Sequence, residues 1–177
     1  VCETVLKDPD GTVKLGIDLH DGSSIETVLL FDKSARRTAC VSCQVGCPMG
    51  CTFCQTGQLG CLRNLSSNEI VEQFLHLERI CGKLDNIVFM GMGEPLLNLD
   101  SIAKTIAVLT HPKGRNLSHR RITLSTSGIC KGIYELADRQ LDIRLAVSLT
   151  TADEDLRTTL MPVTKANPLG ELKKAIR

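Results

Sequence analysis

Three cysteines within eight residues, Cys47, Cys51 and Cys54, form a C-x3-C-x2-C pattern. Thiolates are the usual protein ligands of iron–sulfur clusters, and a cubane cluster has four irons to coordinate. Three thiolates leave one iron without a protein ligand, and an open metal position is typical of a site that binds a reactant. Pro48 and Gly50 favour the tight turn that lets one loop wrap one cluster. The pattern therefore predicts a catalytic iron–sulfur cluster.

The cysteine content favours a metal centre over a disulfide framework. Five of the nine cysteines fall within fifteen residues, whereas a disulfide framework spreads its cysteines and implies export. Apolar residues make up 42% of the 177 residues and charged residues 23%, which suits one α/β domain with a substantial core. No apolar run approaches the roughly 20 residues that span a bilayer, and no secretory signal pattern is seen. We therefore expect a cytoplasmic protein without a membrane partner.

The order of apolar patterns predicts a hairpin followed by alternating strands and helices. Residues 13–19 and 25–31 flank an Asp21-Gly22 turn signal, which predicts an N-terminal β-hairpin extension over residues 1–35. Strands are predicted at 39–45, 87–90, 121–126 and 143–149, and helices at 67–81, from about 100, at 132–139, at 153–159 and from 168, where Asn167-Pro168 caps the helix with proline in its first position. Such alternation predicts a parallel sheet over residues 36–177, with too few units to close a barrel. Since the chain begins at Val1 without a methionine and stops at Arg177 inside a predicted helix, we expect a fragment of a longer protein.

Three polar loops follow predicted strands and could surround the cysteine loop. They lie at residues 91–95, 125–128 and 148–151. In parallel α/β folds, ligands bind where the carboxyl ends of the strands meet. Glycines let the backbone approach a ligand closely, Glu94 can accept hydrogen bonds from an ammonium group, and serine hydroxyls can bind ribose or carboxylate. Each loop alone is typical of a turn or a helix cap, but together they predict one polar ligand site.

The motifs in these loops resemble those of the radical S-adenosylmethionine enzymes, in which a C-x3-C-x-aromatic-C loop is followed by a G-x-G-E-P loop. Longer strings resemble one branch, the adenosine-C2 RNA methyltransferases that act on large-subunit ribosomal RNA and on tRNA. These strings lie at residues 39–47, 56–58, 63–65, 89–98 and 120–128. The resemblance runs from about residue 36 to the end of the chain, and it implies a partial (β/α) radical S-adenosylmethionine barrel.

The resemblance also implies a set of ligand contacts. Cys47, Cys51 and Cys54 would hold a [4Fe–4S] cluster whose fourth iron takes the amino and carboxylate groups of S-adenosylmethionine. Gly93 and Glu94 would meet the methionine amino group. Ser125 would contact the adenosyl or carboxylate part. The ribose would be bound by Ser148, Leu149 and Thr150. Thr150 stands where the family usually has histidine.

The reaction implied by the resemblance needs a radical, because adenine C2 is an electron-poor carbon that polar methyl transfer cannot reach. An electron from a donor such as flavodoxin or ferredoxin would cleave S-adenosylmethionine to a 5′-deoxyadenosyl radical. A methylated cysteine, expected beyond Arg177, would then carry the methyl carbon to RNA. Cys40 occupies the position of a second cysteine, which releases the protein–RNA crosslink by proton removal and disulfide formation. Without the methyl-carrying cysteine, we expect the fragment itself to be inactive.

Three alternatives remain open from the sequence. The pairs Cys40/Cys43 and Cys51/Cys54 are two C-x2-C motifs, as in zinc modules, although the seven residues between them are fewer than the usual spacing of roughly 15–20. The residues also allow methylation at adenine C8, as in a related antibiotic-resistance branch. A non-methylating member such as an activase would share the cysteine loop.

The remaining basic residues and cysteines carry weaker expectations. The net charge of +1 does not indicate a nucleic-acid partner. Basic spots that could meet RNA phosphates, or could equally be solvated surface charge, are Arg36, Arg37, Arg63, Lys113, Arg115, His119, Arg120 and Arg121. No role is predicted for Cys43, and packing or incidental thiols are predicted at Cys2, Cys61, Cys81 and Cys130.

Overall fold

A mixed sheet organises residues 3–177, the part of the chain that the computed structural model describes. The strands of this part are β1 Glu3–Lys7, β2 Val13–Asp18, β3 Ser24–Phe31, β4 Arg37–Cys40, β5 Gln44–Gly46, β6 Cys61–Asn64, β7 Asn86–Phe89, β8 Ile122–Thr126 and β9 Arg144–Val147. Seven of them form one sheet in the order β1-β2-β3-β4-β7-β8-β9, and β5 pairs with β6 separately. Strands β4, β7, β8 and β9 run parallel. The predicted α/β class with a parallel sheet is confirmed.

The predicted N-terminal hairpin is present as β2 and β3, which pair in register from Val13 opposite Leu29. Alternate residues of β2 are buried, because one face of the hairpin packs on the core. Strand β1 adds a third antiparallel strand that the sequence analysis did not predict. Strand β3 pairs with β4, so the sheet runs without a break across the expected boundary between residues 35 and 36.

The predicted strand at residues 39–45 is wrong, because the structure divides it into β4 and β5. Between them the backbone leaves the sheet: the Ser42 N–H donates to the Gln73 side chain at 2.8 Å, and the Cys43 N–H donates to the Met92 carbonyl at 2.8 Å. All residues from 41 to 47 are buried, so their apolar pattern looks like one strand. The two-stranded sheet of β5 and β6 therefore presents the cysteine loop.

The helices match the predicted periodicity within two residues at most ends. They are α1 Gln55–Gln58, α2 Ser67–Cys81, α3 Leu99–Thr110, α4 Cys130–Asp138, α5 Glu154–Leu160 and α6 Leu169–Ala175, with 3-10 turns at Pro95–Leu97, His119–Arg121 and Pro162–Lys165. In α2, Ser66 and Glu69 form a capping box, and Ile70, Phe74 and Leu77 are buried. Pro168 is the N-cap of α6 rather than its first helical residue, which corrects the predicted start.

The helices cover one face of the parallel strands. Ile87 and Phe89 of β7 and Ile122 and Leu124 of β8 are at most 1% exposed and belong to the apolar core. The residues between them, such as Thr123, lie on the other face and are only partly buried. The outer edge of β9 has no partner strand within residues 3–177. No helix in the described part of the chain is long and apolar enough to span a membrane.

Candidate functional site

The cysteine loop is fixed by three backbone hydrogen bonds. The Cys47 N–H donates to the Gly60 carbonyl at 2.7 Å, the Cys54 N–H to the Cys51 carbonyl at 3.1 Å, and the Thr52 N–H to the Leu160 carbonyl at 2.9 Å. The first bond closes the base of the loop, the second makes its turn, and the third ties it to the end of α5. The loop is therefore anchored both to its own hairpin and to a distant part of the chain.

The thiols of Cys47, Cys51 and Cys54 line one cavity of about 380 Å³. Cys47 and Cys51 are 9% and 8% exposed, and burial raises the pKa of the Cys47 thiol to about 11 and also raises that of Cys51. Among residues 3–177, no three histidine, cysteine or acidic side chains converge on a position for a single metal ion. Three thiols in one cavity supply the donors that an iron–sulfur cluster takes, one thiolate for each of three irons.

Glu94 lies in the wall of this cavity with its carboxylate held from two sides. It is 2% exposed, and its Oε2 accepts hydrogen bonds from both the backbone N–H and the hydroxyl of Ser127, each at 2.7 Å. Its Oε1 accepts from the Leu96 N–H at 3.1 Å. At Gly93, with φ +107°, a Cβ would come within 2.8 Å of Gln44 and Cys43. Only glycine fits there without displacing the buried layer behind it.

The loops after β8 and β9 bring most of the remaining predicted residues to the same cavity. Ser125, Ser148 and Thr150 line it, as do Gly93 and Glu94. The side chain of Leu149 does not line it and is 49% exposed. The carboxyl edge of the parallel strands therefore collects the three thiols, the acidic loop and two polar loops, as the sequence pattern predicts.

Thr150 has a backbone conformation that is unfavourable for a β-branched residue, with φ +64°. Histidine is found there several-fold more often than most residues. We therefore expect Thr150→His to raise the free energy of unfolding by about 1 kcal/mol through relief of strain, which thermal denaturation of the full-length protein measures. Thr150→Val is the control, because it keeps the branched Cβ and loses only the weak hydrogen bond from the hydroxyl to the Met161 sulfur. A histidine variant no more stable than the valine variant would show that the strain is unimportant.

Cys40 lies beside the cavity without lining it. It ends β4 opposite Val88 of β7, and Met90, which lines the cavity, directly follows β7. Burial raises the pKa of this thiol, and the backbone N–H of Met90 opposes that increase. The predicted disulfide finds no support here, since the eight described cysteines are free thiols. Its expected partner lies beyond Arg177.

Several predicted basic residues have structural partners. Arg63 binds Glu69 at 2.8 Å and Asp21 at 2.7 Å, and Arg115 binds Glu78 at 2.7 Å. A second cavity of about 540 Å³ lies at the amino ends of the parallel strands, opposite the cysteine loop, and among its lining residues are Arg36, Arg120, Arg121 and Arg144. Much of the predicted basic surface is therefore ion-paired or distant from the thiols.

None of the other cysteines within residues 3–177 lines the cavity. Cys43 is 2% exposed and belongs to the core, Cys61 is exposed, and Cys81 and Cys130 pack against the core partly buried. Cys2 lies outside the described residues. In the zinc alternative Cys43 and Cys40 would have to join Cys51 and Cys54, but only the latter two line the cavity.

Sequence reasoning missed two residues that hold the site together, Ser127 and Arg157. Ser127 was part of a recognised loop, but nothing in its type showed that it binds Glu94. Arg157 is fully buried although it stands in a polar stretch, and its four hydrogen bonds reach carbonyls and a hydroxyl that are distant or unremarkable in sequence. The only signal for its burial was its place in the Asp153–Leu160 stretch, where it lies between the two apolar residues, Leu156 and Leu160.

The half-open parallel sheet and its three-thiol loop define an α/β enzyme class that binds an iron–sulfur cluster at the carboxyl edge of the strands. The model of the radical SAM superfamily matches residues 41–177. The chain belongs to the radical SAM superfamily. A crystal structure of a radical SAM methyltransferase from Sphaerobacter thermophilus superimposes with a TM-score of 0.91 at 43% identity, over 98% of this chain and 53% of that chain.

Curated relatives carry a more specific name. A protein of Treponema denticola named "Probable dual-specificity RNA methyltransferase RlmN" is 72% identical over 97% of this chain and 50% of its own length. The protein of the same name from Treponema pallidum strain Nichols is 65% identical over 98% of this chain and 51% of its own length. The "Dual-specificity RNA methyltransferase RlmN" of Syntrophobacter fumaroxidans is 52% identical over 95% and 49%. The chain spans about half the length of these relatives.

Proposed function

We propose that the full-length protein is a radical S-adenosylmethionine methyltransferase that places a methyl group on C2 of an adenosine in 23S-type ribosomal RNA and in tRNA. The observation that carries this proposal is one cavity that brings the three thiols together with Glu94 and the serine-bearing loops. The names of the curated relatives support RNA as the substrate. An electron donor such as flavodoxin or ferredoxin, and a cytoplasmic setting, belong to the same proposal.

The residues of the cavity fit the groups that this function requires. Cys47, Cys51 and Cys54 would hold three irons, and the backbone at Gly93 and the Glu94 carboxylate would bind the methionine amino group. When bound, the [4Fe–4S] cluster and S-adenosylmethionine supply the radical chemistry that an electron-poor aromatic carbon needs. The protein's part is to orient these groups and to keep water from them. The thiols in the cavity and the fixed carboxylate of Glu94 would orient them.

The hydroxyl-bearing residues of the cavity complete the proposed contacts. Ser125 would bind the adenosyl or carboxylate part, and Ser148 and Thr150 would bind the ribose, with the backbone of Leu149 between them. Cys40, as its thiolate, would take the C2 proton from the oxidised protein–RNA adduct. Its sulfur would then bond to the sulfur of the methyl-carrying cysteine while the sulfur–carbon bond of the crosslink breaks, and the electron pair of that bond with the proton would complete the methyl group on the released RNA.

The test is to map the methylated carbon. The full-length protein, reconstituted anaerobically with iron and sulfide, is incubated with S-adenosylmethionine, a reductant and transcribed ribosomal RNA or tRNA, and the nucleosides are identified against standards by mass spectrometry. We expect 2-methyladenosine from both RNAs, no free methylated RNA from Cys40→Ala, and wild-type yield from Cys81→Ala. A product methylated at C8 would assign the protein to the related resistance branch. A cluster-loaded enzyme that methylates neither carbon would contradict both methyltransferase functions.

A further inference from the structure

Arg157 carries a charge in the interior without a carboxylate bound to it. Its side chain is 0% exposed, and within residues 3–177 its hydrogen-bond acceptors are three carbonyl groups and one hydroxyl. Burial lowers the pKa of the guanidinium. Burying a charge is unfavourable unless its environment compensates it, so a fully buried arginine bound to neutral groups is unusual.

Three of the four acceptors of Arg157 belong to two loops of the cavity. Its Nη2 donates to the Ser127 carbonyl at 2.7 Å and to the Ser148 carbonyl at 3.1 Å, and its Nε donates to the Leu149 carbonyl at 3.0 Å. Its Nη1 donates to the Thr164 hydroxyl at 2.7 Å. The planar guanidinium holds several acceptors in a fixed relative geometry, so one side chain sets the spacing of the loops after β8 and β9.

Ser127 extends this network to Glu94. The carbonyl of Ser127 accepts from Arg157, while its N–H and hydroxyl both donate to Oε2 of Glu94 at 2.7 Å. Oε1 is held separately by Leu96. The orientation of the carboxylate therefore depends on the position of Ser127, and that position depends on Arg157.

The helix that carries Arg157 also contacts the cysteine loop. The carbonyl of Leu160, the last residue of α5, accepts the Thr52 N–H at 2.9 Å. The N-cap of α5 is Asp153, whose carboxylate accepts from the Leu156 N–H at 2.9 Å. One short helix thus holds the cysteine loop from its end and both polar loops from its middle.

We propose that Arg157 is a positioning residue of the S-adenosylmethionine site, which joins the loops after β8 and β9 and, through Ser127, fixes the Glu94 carboxylate toward the methionine amino group. This inference rests on the proposed function. Arg157 touches neither the substrate nor the cluster in this role. Its effect is on the affinity for S-adenosylmethionine, because a ligand binds more tightly to groups that are already oriented.

The test uses the full-length protein after anaerobic reconstitution, with Arg157→Lys, Ser127→Ala and the double variant. Affinity is measured as the change in the electron paramagnetic resonance spectrum of the reduced cluster on titration with S-adenosylmethionine. We expect unchanged iron content, about tenfold weaker binding for Arg157→Lys and about fivefold for Ser127→Ala, since each loses charge-assisted hydrogen bonds. Because the two residues act in one network, their effects should not multiply. The double variant should bind S-adenosylmethionine about as weakly as the single variant with the larger loss of affinity. The KM for S-adenosylmethionine should rise more than kcat falls.

Arg144→Lys is the matched control, because Arg144 starts β9 and lines the cavity at the opposite edge; its binding should equal that of the wild type. Wild-type affinity in both Arg157→Lys and Ser127→Ala, with only a lower melting temperature, would overturn the positioning role. If Arg157→Lys does not fold, Ser127→Ala decides: undiminished affinity overturns the inference. Failure of the wild type to bind S-adenosylmethionine would instead contradict the proposed function.

Discussion

Serine in place of Cys47, Cys51 or Cys54 is expected to lower the iron and sulfide bound by the full-length protein by about tenfold or more. A serine hydroxyl is a poor ligand for iron compared with a thiolate. The three thiols share one cavity, so the loss of any one leaves two irons without a protein ligand. Iron and sulfide analysis after anaerobic reconstitution, with the visible absorption of the cluster, measures the effect.

The control for this prediction is Cys61→Ser. Cys61 is exposed and lies opposite Gly46 in the pairing of β5 with β6, so it tests the same hairpin without touching the cavity. It should keep wild-type iron. A Cys51→Ser protein that retains a full cluster, or a wild-type cluster held by a fourth side chain, would contradict the three-thiol site.

A methyl group added at Gly46 is expected to have a comparably large effect. Gly46 has φ +83°, and a Cβ there would overlap the carbonyl oxygen of Gly60, the same oxygen that accepts the Cys47 N–H. Gly46→Ala should therefore lower the free energy of unfolding by about 3 kcal/mol or more and reduce bound iron, because the first cysteine moves with the strand. Thermal denaturation and iron analysis of the full-length protein measure the two effects.

Gly60→Ala is a matched control for this change. Gly60 also has a positive φ, +73°, but nothing lies within 4 Å of a Cβ built there. Gly60→Ala should lower the free energy of unfolding by about 1 kcal/mol, the effect of a Cβ at a positive φ alone, and leave the iron content unchanged. Equal losses in the two alanine variants would mean that backbone conformation, and not the overlap with the Gly60 carbonyl, governs the loop.

The parts of the fold that the sequence predicted well have strong local signals. Helix α2 has a capping box at Ser66 and Glu69, a buried stripe and a terminal glycine. The hairpin of β2 and β3 has alternation around a turn at Asp21-Gly22. The division of residues 39–45 could not be predicted, because the bond from Ser42 to Gln73 that breaks the strand joins residues 31 positions apart. The apolar pattern of a sequence indicates which residues are buried. Because residues 41–45 are buried in either case, the pattern does not show whether they form one strand or two.

The sequence pointed to most residues that line the cavity, and it missed the residues that support them. Residue type and spacing identify thiols, glycines and an acidic side chain, because these chemistries are short-range and local in sequence. What orients Glu94 is Ser127, and what orients Ser127 is Arg157, 30 residues away. Such contacts arise only when the sheet brings neighbouring loops together. A single sequence does not show which residues such contacts join.

The tie between Thr52 and Leu160 has a consequence for biogenesis. The two residues are 108 positions apart, and a ribosome adds about 5–20 residues per second. Thr52 is therefore translated roughly 5–20 s before its distant partner Leu160. During that interval the Leu160 carbonyl that accepts the Thr52 N–H does not yet exist, so the link between the cysteine loop and α5 forms only late in synthesis.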